Sequence, residues 1–324
     1  MKFLYKIADY LCSKHIDSIE KAIIVLPNRR GSLYLKKYLA EIIGKSFFAP
    51  QIYSIEDFII KLSGYNIIDN VSLNFIFYKV YREIEGEKAK SFDDFLTWSN
   101  TVINDFNETD LYLANADALF SYLTEAKALE KWNLNNEPLS EKEKEYLKFY
   151  NSLSSYYHAF NETLRLKNFA YQGMAYKYVA DNIEKLAIPL KDNNIYFVGF
   201  NALTTAEEKI IKHLTKSGIA EVLWDADDYY LENPFHEAGK FLRKYLDELP
   251  NPDFPSTEKY YRESTKNISV VGVPQNVGQV KYCGSLINSI IDSDPLLKEK
   301  TLENTAVVLC DESLLVPVLY SLPE

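Results

Sequence analysis

The chain has 324 residues, 36 basic against 46 acidic side chains for a net charge of −10, and 47% apolar and 25% charged residues. That is an ordinary globular composition, which excludes disordered, collagen-like and low-complexity classes. No run of about 18 apolar residues is present, so no transmembrane helix is expected, and Lys2, Lys6 and Asp9 interrupt any signal-peptide core.

Phe3, Leu4, Ile7 and Leu11 fall at helical spacing, so the N-terminus reads as a short amphipathic helix. Residues 22–26 (Ala-Ile-Ile-Val-Leu) form an unbroken apolar run stopped by Pro27-Asn28. Such a run suits a strand buried on both faces, as in a parallel sheet covered by helices. Leu35, Tyr38, Leu39, Ile42 and Ile43 then recur on one helical face, with Gly44 as the expected C-cap.

From Ser54 to Ile188 the spacing is helical. Leu73, Ile76, Phe77, Val80, Tyr81 and Ile84 mark one helix. Ser91-x-x-Asp94 opens the next through Phe95, Leu96, Val102, Ile103 and Phe106, and Ser140-x-x-Glu143 opens a third through Tyr146, Tyr150, Leu153, Tyr157, Phe160 and Leu164. No strand is expected in this stretch, whose length of roughly 130 residues suits a small domain.

Strands are predicted again at 195–198, 220–224, 268–271 and 305–309. Each is followed by a helix: from 203–208 with two overlapping capping boxes, near 235–246, at about 276–291, and from Asp311. Four strand–helix repeats specify a mostly parallel α/β sheet, which the strand at 22–26 would join. The expected organisation is therefore residues 1–65 and 189–324 as one α/β domain, with 66–188 as an all-helical insertion.

The residues that could carry chemistry are few. Cys12, Cys283 and Cys310 lie too far apart for a C-x-x-C pair, and an odd count without a signal peptide points to a reducing cytoplasm. The four histidines never sit at i,i+3 or i,i+4, which removes a zinc site built on local spacing. Gly44-Lys45-Ser46 imitates the tail of a phosphate-binding loop, but Leu39 stands where the first glycine belongs and a helix precedes it, so a C-cap is the better reading. Residues 307–312 imitate a magnesium-binding strand end, with Asp311 and Glu312, yet without a phosphate loop these acids read as the favoured first turn of a helix. Asp225, Asp227 and Asp228 follow a strand, where α/β sheets bind ligands, and could hold a hard cation; a loop and cap role is the plainer alternative.

A PD-(D/E)xK nuclease site is absent. Pro252-Asp253 occurs, but the two D/E-x-K triplets, Glu125-Ala126-Lys127 and Glu207-Glu208-Lys209, lie upstream in predicted helices. What remains is Pro27-Asn28-Arg29-Arg30-Gly31 at the mouth of the first strand, with Lys36 and Lys37 beyond. This basic spot suits a phosphate, because arginine donates bidentately and a helix N-terminus adds free N–H groups; solvated surface charge is the simple alternative. Abundant Tyr (25) and Phe (18) could stack on bases, although most fall at core spacing.

Several stretches together resemble one family: residues 24–31, 92–98 with 104–107, 171–174, 196–203, 224–230 and 307–317. The whole chain resembles the N-terminal part of Bacteroidetes-type PD-(D/E)xK nuclease-family proteins. Those are similar to the AddB subunit of AddAB helicase–nucleases, which process DNA double-strand ends for recombination.

The resemblance implies an inactivated superfamily-1 helicase-like fold: a RecA-like α/β domain carrying a helical 1B-like insertion. It implies single-strand backbone contact by Asn28, Arg29 and Arg30, with Lys36 and Lys37 beside them, and a second DNA-facing element at Gly199, Phe200 and Asn201. It further implies an AddA-type helicase subunit as partner. The nuclease domain, with its Mg2+, would lie beyond residue 324, and the abrupt end at Leu322-Pro323-Glu324 agrees with that. The expected function is a non-catalytic DNA-binding and scaffolding module needing no cofactor of its own. The alternatives are a ligand- or metal-binding enzyme domain using Asp225, Asp227, Asp311 and Glu312, or a purely structural interaction domain. Net acidity predicts weak DNA binding that is strongly salt-dependent.

Overall fold

The computed structural model describes residues 2–15, 18–124, 141–293 and 305–323. The chain packs as two units, residues 1–263 and 264–324.

The first unit opens with α1 (Phe3–His15), β1 (Ala22–Leu26), α2 (Arg30–Ile43), β2 (Gln51–Ser54) and α3 (Ile55–Ser63). Next come β3 (Asn66–Ile67), α4 (Asn70–Glu85), α5 (Phe92–Leu111), α6 (Ala116–Thr124), α7 (Glu141–Leu166), β4 (Phe169–Ala170) and α8 (Gln172–Leu186). It closes with β5 (Asn194–Val198), α9 (Thr205–Lys216), β6 (Ala220–Leu223), β7 (Ala226–Asp227), α10 (Asp228–Glu232), α11 (Lys240–Glu248), β8 (Thr257–Glu258) and α12 (Tyr260–Glu263).

The central sheet is parallel throughout, in the order β2-β1-β5-β6. Alternate residues enter opposite cores, as the period of two requires. Ile23, Val25, Ile195, Phe197 and Val222 face α3, α8, α9 and α11, whereas Ala22, Ile24, Leu26, Tyr196 and Val198 face α1 and α2. Both faces of the central strands are therefore covered, which is why β1 and residues 195–198 of β5 read as unbroken apolar runs.

Helices α4 to α7 enclose a core of their own, centred on Phe77. Its ring lies 5.0–6.0 Å from those of Phe95, Trp98, Phe106, Tyr156 and Phe160. Ser91 accepts from Asp94 N–H as expected, and of the two overlapping boxes read at 203–208, Thr204 with Glu207 forms while Thr205 is already the first residue of α9. The expected cap at Ser140 lies outside the described residues. Two short ladders the sequence did not suggest, β3 with β4 and β7 with β8, pair parallel.

α8 ties the two layers together. Its first residues, Met174 and Ala175, with Tyr171 just ahead of it, enter the aromatic core, while Tyr176, Val179, Ala180 and Ile183 pack under the sheet.

Glu208 fastens α9 to α11. Its carboxylate accepts hydrogen bonds from Lys212, Lys244 and Tyr245 at 2.6–3.0 Å. Burial opposes its ionisation, but these donors outweigh that effect and pull the carboxyl from its ordinary 4.5 down to about 2. A folded value below the unfolded one stabilises the protein above the unfolded value, and that stability is lost as pH falls from 4.5 through 2. Glu208→Gln is expected to cost about 2 kcal/mol at neutral pH. The gap between wild type and variant should close over that acid window in urea unfolding followed by circular dichroism.

In the second unit, α13 (Asn276–Ser293) packs on α14 (Leu315–Leu319). A Cβ on Gly284 would fall 2.0 Å from the Ser321 carbonyl oxygen, so only glycine permits that approach. The strands expected at 268–271 and 305–309 are not formed. Val270 and Val308 are 93% and 84% exposed, and neither segment joins a ladder among the described residues. The local preference for extended backbone is present, but a strand also needs a neighbour to complete its hydrogen bonds. The sheet thus draws on two of the four predicted strand–helix repeats, plus β1 and the unpredicted β2. The helix expected near 235–246 begins later, at Lys240, after a 3₁₀ turn over Glu237–Gly239.

Candidate nucleic-acid interface at the carboxyl edge of the sheet

Parallel pairing of Leu26 with Ser54, Val25 with Phe197, and Val198 with Leu223 brings the carboxyl ends of all four strands to one edge. The chain leaves β1 toward β2 on one side, while β5 lies on the other. Between β1 and β5 the strand order therefore reverses, and open α/β sheets bind ligands in the crevice at such a point. Residues 27–31 and 199–202 flank it.

The first loop is a tight turn. Asn28 Oδ1 accepts from Gly31 N–H at 3.1 Å, and Ser32 Oγ donates to the Arg29 carbonyl at 2.7 Å. Asn28 thus closes the turn that leads into α2. Arg29 is 72% exposed along its side chain, yet its fork is occupied. Nε and Nη2 donate to Asp57 Oδ2 and Oδ1 at 2.9 and 2.6 Å. The Arg29 hydrogen bonds, helped by Ser54, hold the Asp57 carboxyl below its usual range against a smaller opposing effect of burial.

Arg30, Lys36 and Lys37 are exposed and form no ion pair among the described residues. Arg30, Tyr34 and Lys37 recur at i, i+4 and i+7 and so share one face of α2, with exposed Leu33 alongside.

The second loop turns sharply at Gly199, whose φ of 71° lies in the left-handed region while its N–H still donates to the Leu223 carbonyl at 2.9 Å. The turn sends Phe200 back into the core, 5% exposed and against Phe197. Its ring is therefore no stacking platform at the surface, which corrects the DNA-facing role expected for it. Asn201 remains exposed and lines a cavity of about 340 Å³ with Asp225, Asp227, Tyr230, Glu258 and Tyr260.

The carboxylates around this cavity are largely engaged. Asp227 accepts from the Tyr229 and Tyr261 N–H groups at 3.0 and 2.9 Å, and Glu258 pairs with Lys6, which also sits over the Tyr260 ring. Asp311 and Glu312 belong to the second unit, where Asp311 caps a 3₁₀ turn through the Ser313 N–H. The structure therefore does not assemble the four carboxylates of the enzyme alternative in one unit. Among the described residues, no group of three or more His, Cys, Asp and Glu side chains is placed to hold a metal ion. No described helix is long and apolar enough to cross a membrane.

Gly44 ends α2 in the left-handed conformation, its N–H donating to the Ala40 carbonyl at 3.1 Å, as a C-cap does. Of the two D/E-x-K triplets, Glu207-Glu208-Lys209 lies on α9 and the other falls outside the described residues.

Two members of the site escaped sequence reading. Tyr34 was recoverable from its spacing to Arg30 and Lys37. The start of α3 was legible in Ser54-x-x-Asp57, which repeats the pattern of Ser91-x-x-Asp94. The pairing of Asp57 with Arg29 was not, because it depends on β2 lying beside β1. No protein-family model matches the chain, and no curated protein matches it.

Proposed function

We propose that the chain is a helicase-like, non-catalytic module that binds DNA and serves as scaffold within a cytoplasmic nuclease processing double-strand ends. In this reading the parallel sheet is an inactivated RecA-like domain and helices α4 to α7 are its 1B-like insertion. An AddA-type helicase subunit is the partner, and the Mg2+-dependent nuclease chemistry belongs to residues beyond this chain.

The observation that carries the DNA part is the exposed row Arg30, Tyr34, Lys37 rising from the switch-point crevice. Two cations one helical stretch apart engage successive backbone phosphates, and an aromatic ring between them offers a face for one base. Asn201 lies across the crevice as a neutral hydrogen-bonding group. So few cations on a chain of charge −10 give weak binding, strongest at low salt.

Fluorescence anisotropy with a labelled single-stranded oligonucleotide, at about 50 and 200 mM salt, tests this. Wild type should bind at the lower salt. Arg30→Ala/Lys37→Ala should bind more weakly and flatten the log K against log salt slope by about 1.4, the share of two single-strand phosphate contacts. No binding by wild type at the lower salt, or equal slopes for both proteins, would replace this reading with a structural interaction module.

A further inference from the structure

The geometry points to Asp57 as an internal stand-in for phosphate: it holds the Arg29 fork in the unliganded protein and yields it to a backbone phosphate of a bound single strand. This inference rests on the DNA-capture reading above and adds to it a built-in competitor.

A carboxylate presents two oxygens in a plane, and the Nε–Nη2 edge of a guanidinium matches that pair; two non-bridging phosphate oxygens make the same match. Asp57 fills this edge of Arg29 with both oxygens, at 2.9 and 2.6 Å. Arg29 stands at the crevice beside Arg30, and its 72% exposure leaves room for a strand to approach. The two loops are held at fixed spacing by the pairing of Leu26 with Ser54, so the contact does not depend on a mobile segment.

Exchange leaves no orphan. When Arg29 turns to a phosphate, Asp57 keeps the 2.7 Å hydrogen bond from Ser54 Oγ and its place in the first turn of α3, where the helix dipole favours a negative charge. The displaced contact is a largely solvated ion pair, whose loss is small. A phosphodiester, carrying a full charge and arriving with neighbours on Arg30 and Lys37, is the ligand class that can displace it. The competitor also sets a threshold: an isolated anion gains little over Asp57, whereas a strand engaging all three cations does.

The test is a double-mutant cycle in the same anisotropy assay, with Asp57→Asn, Arg29→Ala and the pair. Asparagine keeps the Ser54 hydrogen bond to α3, and thermal unfolding of each variant establishes that the fold is kept. Asp57→Asn is expected to tighten single-strand binding roughly two- to fivefold when Arg29 is present and to change nothing in the Arg29→Ala background. Glu56→Gln, which removes the adjacent charge without freeing the guanidinium, should produce less than half of that gain in log K. An equal gain in both backgrounds means simple repulsion and overturns the exchange. An unchanged affinity in Asp57→Asn overturns it as well, while the DNA reading stands on wild-type binding. Failure of wild type and Asp57→Asn alike to bind at low salt removes both.

Discussion

Asp110→Ala is expected to destabilise the protein by about 3 kcal/mol, the lower end of the range for stripping one partner from a buried charge pair, since the Lys177 left behind is partly exposed. Asp110 is fully buried near the end of α5 and collects three donors. Tyr171 O–H donates to Oδ2 at 2.5 Å, Lys177 Nζ to Oδ1 at 2.9 Å, and Tyr157 O–H to Oδ1 as well. Lys177 also reaches Tyr157 Oη at 2.8 Å. Burial drives the Tyr171 hydroxyl well above its ordinary pKa, with the Asp110 charge adding to it, so the hydroxyl stays a donor.

Alanine at 110 leaves two buried hydroxyls without their acceptor and the Lys177 ammonium with only the Tyr157 oxygen, and each loss costs desolvation. Asp110→Asn, which retains an acceptor of the same shape, should cost less. Asp110→Ala/Lys177→Met should recover part of the loss, because the unpaired charge is gone. Urea midpoints of the three variants separate these outcomes. A loss in Asp110→Ala below about 1 kcal/mol, typical of an exposed pair, would mean that water already satisfies the cluster.

That cluster bears on what a sequence can disclose. β1 and β5 were legible because strands buried on both faces must be continuously apolar, and Ile23-Ile24-Val25 or Tyr196-Phe197-Val198 can be little else. β6 kept part of that signal in Val222-Leu223-Trp224 despite Glu221. β2, with Gln51, Tyr53 and Ser54 on an edge strand that is only partly buried, lacks that signature and stayed hidden. Residues 306–309 (Ala-Val-Val-Leu) carry the same signature as β1 yet join no ladder among the described residues, since propensity is local and pairing is not. The same division runs through the site. Arg29, Arg30, Lys36 and Lys37 could be named from their types and spacing. The fate of the Arg29 fork hangs on a residue 28 positions away, and that of Phe200 on the backbone turn at Gly199. Helices α4, α5 and α7 were legible from their period, and α5 from its cap as well, whereas α6 and the attachment of the block to the sheet, through Asp110 and α8, were not.

The second large effect concerns that attachment. Gly173→Ala is expected to cost roughly 3 kcal/mol, the upper part of the range for overpacking a closed contact. A Cβ at 173 would lie 2.2 Å from the Asn107 carbonyl oxygen and 3.0 Å from its side-chain oxygen. Backbone cannot yield as a flexible side chain does, so α8 must move off α5. That movement breaks the 2.6 Å hydrogen bond from Gly173 N–H to Asn107 Oδ1 and pulls Tyr171 from Asp110.

The contact of Asn107 with Gly173 shows that α5 and α8 cross at backbone distance. Since α8 runs from the aromatic core to beneath the sheet, the damage should run along the whole helix and its partner. Hydrogen exchange should accelerate along α5 and α8 together while β1, β5 and β6 keep their protection. Loss confined to the first turn of α8 would show instead that the helices separate locally, and that the aromatic core and the sheet hold their positions without this crossing.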